Sequence, residues 1–159
     1  MSGTLTLVGT PIGNLSDMSP RGVKVLRECD FIAAEDTRVT MNLLNHFEIR
    51  KPLVSYYEHN KRQRGGEILS RLQAGESAVL VTDAGMPAIS DPGEELVALC
   101  HDVNIQVCLE GVEREEEFDR VRPMGLDFIQ GFLFGKPVPP DVFERDFLMK
   151  GNASGSLEG

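Results

Sequence analysis

The sequence predicts a single α/β domain in which a mostly parallel sheet of five or six strands carries helices on both faces. Three observations lead to this class. Short β-rich runs alternate with helical patterns along the chain, as in consecutive β–α units. The fourth run, Ala78–Thr82, is almost entirely apolar, as expected for a parallel strand covered on both faces. The length of 159 residues is sufficient for one hydrophobic core.

Turn residues and capping signals separate the predicted elements. Ser19-Pro20 places an N-cap and a proline at the start of the first helix, and Ala74-Gly75 ends the third helix. The predicted strands are Thr4–Gly9, Asp30–Ala34, Leu53–Tyr57, Ala78–Thr82, Ile105–Leu109 and Asp127–Ile129. The first predicted helix begins at Pro20 after its N-cap Ser19, and the others are Thr37–Phe47, Gln63–Leu72, Glu94–His101, Glu113–Arg122 and Pro140–Met149.

Composition and charge exclude several classes of protein. With 41% apolar and 26% charged residues, the chain has the composition of a globular domain and not of a disordered one. No apolar run approaches the roughly 20 residues that span a bilayer, and no secretory signal is recognisable, so we expect a cytoplasmic protein without membrane contact. The net charge of −9 disfavours nonspecific binding to nucleic acid.

Two loops at predicted carboxyl ends of strands are candidates for ligand binding. Thr10-Pro11-Ile12-Gly13-Asn14 follows the first strand, and residues 83–93 follow the fourth. Ligands of open parallel sheets bind at this edge, and glycine lets backbone amides come close to a ligand. Neither loop contains a dinucleotide fingerprint or a P-loop, so a purely structural turn stays open as the alternative for each.

The residues around these loops resemble a known enzyme family. VGTPIGNLSDMSPRGVKVLRECDFIAAEDTR, then LVSYYEHNKRQR, then LVTDAGMPAISDPGEELV, is similar to the RsmI-type ribosomal-RNA 2′-O-ribose methyltransferases of the tetrapyrrole methylase superfamily. The resemblance covers residues 4 to about 100. It implies S-adenosylmethionine (SAM) as methyl donor, a cytidine ribose of 16S ribosomal RNA as acceptor, and two α/β domains with the cofactor between them.

The resemblance also assigns roles by position. It implies a substrate-side loop of Thr10, Pro11, Gly13 and Asn14, and a cofactor pocket that includes Asp83, Ala84, Gly85, Met86, Pro87 and Ala88. The candidate catalytic residues are Glu35, Asp36 and Arg38, and the candidate RNA contacts are Lys61, Arg62 and Arg64. Structural alternatives stay open: Asp36 could cap the second helix, Asp83 could form an Asx turn, and the basic cluster could be a solvated helix start.

The last third of the sequence resembles a different enzyme. Glu110-Gly111-Val112-Glu113 and Gln130-Gly131-Phe132-Leu133-Phe134 are similar to the end of EAL domains, barrel phosphodiesterases that hydrolyse cyclic di-GMP, over residues 96 to about 147. In that family Glu110 would lie near the metals and Gln130 would contact the nucleotide. Because the remaining oxygen ligands are missing, we interpret both as relics and expect no metal site.

The two resemblances together indicate an engineered or shuffled chimera. Residues 1–100 would come from the methyltransferase N-domain, residues 101–150 from the EAL barrel to complete the same domain, and residues 151–159 would be a flexible tail or added linker, with the junction between 93 and 105. We expect no catalysis and no required cofactor, with weak SAM or other ligand binding retained. The alternatives are a truncated SAM-dependent 16S rRNA methyltransferase and a nucleotide- or anion-binding module.

The last third is rich in large apolar residues, too many to leave exposed in a stable monomer. We therefore expect most of them to pack against the first hundred residues, within one chain or across a homodimer or swapped dimer. They are Ile105, Val107, Leu109, Phe118, Val121, Phe128, Ile129, Phe132, Phe134, Phe143 and Phe147.

Overall fold

The order of elements is the predicted alternation of strand and helix. The computed structural model describes residues 1–11, 13–81, 92–136 and 138–148. Within these ranges the strands are β1 (Thr4–Val8), β2 (Phe31–Ala34), β3 (Leu53–Ser55), β4 (Ala78–Val81), β5 (Gln106–Glu110) and β6 (Phe128–Gln130). The α-helices are α1 (Pro20–Glu28), α2 (Thr37–His46), α3 (Lys61–Gln73), α4 (Gly93–Asp102), α5 (Glu115–Val121) and α6 (Pro140–Phe143).

The six strands of the described residues form one sheet in the order β3-β2-β4-β1-β5-β6. Every neighbouring pair is parallel. In β1, Leu5 is level with Ala78 of β4 on one side and with Val107 of β5 on the other. The predicted fold class is therefore confirmed, and so is the prediction that the first and fourth strands share one parallel sheet.

Helices pack on both faces of this sheet. One face buries Leu26 of α1 and Leu44 of α2, and the other buries Ile68 of α3, Leu96 of α4 and Val121 of α5. Successive side chains of a strand point to opposite faces, so a strand between two such layers must be apolar throughout. β2 and β4 satisfy this condition, because all four residues of each are buried.

The first helix begins as the sequence predicts. Ser19 is its N-cap, and its Oγ accepts a hydrogen bond from the Gly22 backbone N–H at 2.9 Å, while Pro20 occupies the first helical position. The last helix differs from its prediction: α6 ends at Phe143, and the chain continues as a π-helix over Glu144–Leu148. No helix within the described ranges is long and apolar enough to cross a membrane.

The apolar residues of the last third divide into a packed group and an exposed group. Packing is confirmed for Ile105, Val107, Leu109 and Val121, which are buried, and for Phe118 and Ile129, which pack on the core beside α3–α5. The prediction concerned most of the set, and the exceptions among the described residues are Phe128, Phe132, Phe134 and Phe143, which are between 42% and 51% exposed. Phe147 lies outside the described side chains.

The exposure of Phe128 follows from the covering of the sheet. Phe128 is level with Cys108 of β5. The alternation along β5 and β6 directs these two side chains away from Leu109 and Ile129, toward the face that α1 and α2 cover further along the sheet. Among the described residues, the core on that face includes no side chain of β5 or β6. Helical cover therefore ends before the sheet does.

A glycine inside α3 allows a test of the helix itself. Gly66 is exposed, and a Cβ built there meets no atom within 4 Å. We expect Gly66→Ala to raise the free energy of unfolding by about 0.5–1 kcal/mol in urea titrations, because alanine loses less backbone entropy on folding. Gly65→Ala is the control: its added Cβ would lie 3.4 Å from Leu99 Cδ1, so the gain should be smaller. A loss of stability in Gly66→Ala would contradict a helical conformation at this position.

Candidate functional site

Most of the predicted site residues that the structure describes lie on one edge of the sheet. They are at or just beyond the carboxyl ends of β2, β1, β5 and β6, and β2, β4, β1, β5 and β6 are five consecutive strands of the sheet. Adjacent strands are about 4.8 Å apart, so the five strand ends span roughly 20 Å. The cofactor-pocket candidates Asp83, Ala84, Gly85, Met86, Pro87 and Ala88 lie outside the described residues, as does Ile12.

The loop after β1 is held by its own side chains. Asn14 Oδ1 accepts a hydrogen bond from the Ser16 backbone N–H at 3.1 Å, which starts the short 3-10 helix Leu15–Asp17. Gly13 has a φ of +96°, in the left-handed region that favours glycine. A Cβ built on Gly13 would meet nothing within 4 Å, so the described atoms leave the backbone here open to a ligand.

At the end of β2, Asp36 forms the N-cap of α2. Its Oδ1 accepts a hydrogen bond from the Arg38 backbone N–H at 2.8 Å, and Arg38 Nη2 donates to Oδ2 at 2.9 Å. The hydrogen bond from the Arg38 side chain, followed by that from its backbone, holds the pKa of Asp36 below its usual value. An anion held in this way is a weak proton acceptor, which disfavours Asp36 as a general base. Glu35 is the exposed carboxylate beside it.

The basic cluster in the first turn of α3 is mostly engaged in ion pairs. Lys61, with a side chain only 16% exposed, lies 2.8 Å from Glu95 of α4 and 3.0 Å from Glu58. Arg64 Nη1 lies 2.6 Å from Glu67 Oε2. Among the described residues no ion pair includes Arg62. The alternative of a helix start therefore fits Lys61 and Arg64. Arg62 is the one predicted RNA contact for which the described part of the chain supplies no ion-pair partner.

A cavity of about 470 Å³ lies beyond the ends of β5 and β6. Glu110, which is 4% exposed, lines it, and Glu110 Oε1 accepts a hydrogen bond from Arg21 Nε at 3.0 Å. Since Arg21 belongs to α1, this ion pair joins the first part of the chain to the last. Glu110, interpreted from the sequence as a relic, thus has a defined partner. The other lining residues include Ser19, Gln130, Phe132, Phe134, Lys136, Val138 and Phe143.

The sequence patterns do not identify Arg21 or the phenylalanines of this cavity as candidate ligand contacts. The only signal for Arg21 was its place one residue after the Ser19-Pro20 helix start, which puts it near the carboxyl edge of a β–α unit. Their hydrophobicity predicts that the phenylalanines pack in the core. Among the described residues no three His, Cys, Asp or Glu side chains group closely enough to hold a metal ion.

Several known proteins match about two thirds of the chain. It is 58% identical over 105 residues to ribosomal RNA small subunit methyltransferase I of Synechocystis sp., an alignment that covers 66% of this chain and 38% of that protein. The proteins of the same name from Halalkalibacterium halodurans and Thermotoga maritima are 60% identical over 95 residues and 54% identical over 105 residues. These alignments cover 60% and 66% of this chain, and 33% and 47% of the relatives, so the chain spans less than half of each relative's length.

A solved structure shares the fold. The crystal structure of a conserved hypothetical protein from Aeropyrum pernix K1 superposes with a TM-score of 0.52 at 20% identity, covering 67% of this chain and 38% of that one. At this identity the likeness concerns the arrangement of strands and helices alone.

Two family profiles match the chain, and they overlap. The EAL domain profile matches residues 93–137, from the start of α4 to the loop after β6. The profile of the Tetrapyrrole (Corrin/Porphyrin) Methylases matches residues 4–108, from the first residue of β1 into β5. Since this second match covers well over half of the sequence, the chain belongs to the tetrapyrrole methylase family.

Proposed function

We propose that this chain provides the donor-binding half of a SAM-dependent methyltransferase for ribosomal RNA, with SAM bound at the loop after β4. The observation that carries the proposal is the identity of 52–60% to ribosomal RNA small subunit methyltransferase I proteins over 95 to 106 residues. Identity at this level over about a hundred residues extends through loops as well as core, and loops determine what a strand-end site binds.

The positions of the strands support a donor site at this loop. β4 lies between β1 and β2, so a ligand held by Asp83, Ala84, Gly85, Met86, Pro87 and Ala88 would be flanked by the loops after those two strands. The open backbone at Gly13 fits a ligand that approaches main-chain groups. When bound, SAM supplies an electrophilic methyl group. The role of these residues is to bind and orient it, and Arg62 would contact RNA.

We expect donor binding without turnover from the 159-residue chain alone. Methyl transfer needs donor, acceptor oxygen and base in near-attack geometry, and a misplacement of about 1 Å can cost 100-fold in rate. Within the chain, the methylase match ends at residue 108 and the EAL match continues to 137. Pairing of two copies is the arrangement that could rebuild a two-sided cleft.

The EAL match favours a second candidate, an engineered or shuffled fusion without either chemistry. In this candidate residues 101–150 complete the host sheet through β5 and β6, and residues 151–159 are an added linker. Both parent folds are built of β–α units, so a crossover between residues 93 and 105 preserves the order of strand and helix. Glu110 would then serve the ion pair with Arg21 and no hydrolysis.

Ligand-induced stabilisation separates the two candidates. We expect SAM and S-adenosylhomocysteine to raise the melting temperature, with about 1.4 kcal/mol of added stability at ten times the Kd. Cyclic di-GMP should give no shift. Asp83→Ala should abolish the SAM shift, whereas Asp119→Ala, an exposed carboxylate on α5, should leave it unchanged.

A parallel assay follows transfer of labelled methyl groups from SAM to small ribosomal subunits. Absence of both the SAM shift and transfer would contradict the donor-binding proposal and support the fusion candidate. Transfer that is lost in Asp83→Ala would show that the expectation of no turnover is wrong.

A further inference from the structure

The cavity beyond β5 and β6 has the size and lining of a small-molecule site. Its volume of about 470 Å³ falls within the roughly 300–1,000 Å³ typical of such sites. Phe132, Phe134 and Phe143 line it, and each keeps between 42% and 47% of its surface exposed. Apolar surface exposed around a concave site marks a place where a ligand can gain affinity by burial.

The aromatic rings of the cavity suit a positive charge. The face of a phenylalanine ring carries negative potential and attracts cations within about 6 Å of its centre. Lys136 Nζ lies 5.9 Å from the centre of the Phe132 ring, so the chain's own cation occupies this position. Phe134 packs edge-on against Phe118 with 5.4 Å between centres, which holds its ring in place. Lys136 is exposed and free to turn into solvent when another cation arrives.

A buried carboxylate adds a charged acceptor to the aromatic wall. The Glu110 side chain is 5% exposed and accepts one hydrogen bond from Arg21 Nε. A carboxylate has about four lone-pair sites, so Glu110 retains capacity for a ligand N–H. Arg21 and Glu110 offset each other, and Glu113 at the cavity opposes Lys136.

The charge of the surrounding sequence determines whether a cation or an anion is preferred as ligand. Residues 101–159 contain six Lys and Arg against twelve Asp and Glu, a formal charge of −6. A field of this sign raises the local concentration of cations at a concave site. The charged residues that line the cavity are two cations and two anions, so they do not reverse this preference for cations.

We propose that this cavity binds an organic cation with a flat aromatic body, of the arylalkylamine class. The ring would lie among Phe132, Phe134 and Phe143, and the ammonium group would be held by Glu110 and the ring faces. This proposal rests on residues other than those proposed to bind SAM, and it does not depend on that proposal.

Three probes of one shape test the charge preference: 1-naphthylmethylamine, 1-naphthylmethanol and 1-naphthoate, titrated by calorimetry against the full chain. We expect the amine to bind about tenfold or more tightly than the alcohol and the carboxylate, a difference of about 1.4 kcal/mol. Equal binding of amine and alcohol, or tighter binding of naphthoate, would overturn the proposal.

Matched variants locate the site. Lys136→Met should tighten amine binding several-fold by removing a like charge, and Phe132→Ala should weaken it about tenfold. Phe128→Ala is the control, because Phe128 is similarly exposed and does not line the cavity.

Glu110→Gln should weaken amine binding while keeping an acceptor for Arg21, and its melting curve shows whether the variant is folded. Weaker binding in Lys136→Met, or equal effects of the two phenylalanine changes, would contradict the assignment. Asp83→Ala should leave amine binding unchanged.

Discussion

A chain that ends at residue 103 is expected to lose its cooperative unfolding transition and to aggregate. The deletion removes β5, all five residues of which pair with β1, and uncovers Leu5 and Leu7 along the exposed edge of β1. It also removes Ile105, Val107 and Leu109 from the core. Burial of each such side chain is worth about 1.5–3 kcal/mol, so the loss is comparable to the 5–15 kcal/mol that stabilises a typical domain.

Circular dichroism and size-exclusion chromatography of two truncations test this expectation. A chain ending at residue 139 is the control. It loses α6 and the residues that follow, whose described side chains are exposed or half-buried, and it keeps the pairing of β5 with β1 and with β6. Its free energy of unfolding should stay within about 1 kcal/mol of that of the full chain. A monomeric 1–103 fragment with a sharp melting transition would show that the last third is dispensable for folding.

Arg21→Met is expected to lower the free energy of unfolding by about 2 kcal/mol. The change leaves the buried Glu110 carboxylate without the guanidinium 3.0 Å away. Loss of one partner from a fully buried pair costs about 3–5 kcal/mol, and the value here should be smaller because the Arg21 side chain is 56% exposed. Urea titration of the variant measures the loss.

A double-mutant cycle with Glu110 and a substitution in a surface ion pair provide the controls. Glu110→Gln in the Arg21→Met background should cost less than in the original chain, by a coupling of about 1 kcal/mol. Lys24→Met, on the same helix, breaks a pair with Glu28 in which both side chains are more than 60% exposed, and should change stability by less than about 0.5 kcal/mol. Equal losses in Arg21→Met and Lys24→Met would contradict the bridging role of Arg21.

The fold was predictable because its signals are local. The apolar runs of β2 and β4 identify strands covered on both faces, and the Ser19-Pro20 start identifies α1. The parallel sheet then follows from the regular alternation of strand and helix. The boundaries of the last helix were not predictable in the same way, since α6 has no buried face to give it a helical period.

The site was predictable only in part, because it depends on contacts between distant residues. Strand-end positions place the candidates on one edge without knowledge of tertiary structure. The partner of Glu110 is 89 residues away in the chain, and the partner of Lys61 on α4 is Glu95. Hydrophobicity alone also cannot distinguish a core phenylalanine from one that lines a cavity. Phe128, for example, is exposed because the helical cover of its face ends before β6, which is a property of the whole sheet.

The strand order has a consequence for how the chain reaches its native state. β1 is made first but lies between β4 and β5, whose paired residues begin at Ala78 and Gln106. Pairings over such separations give a high contact order, and folding rates fall as contact order rises. A nascent chain can pair β2 with β3 early, but it carries Leu5 and Leu7 without their strand neighbours until Glu110 has been added. Closure of the sheet around β1 is therefore the step at which folding competes with aggregation.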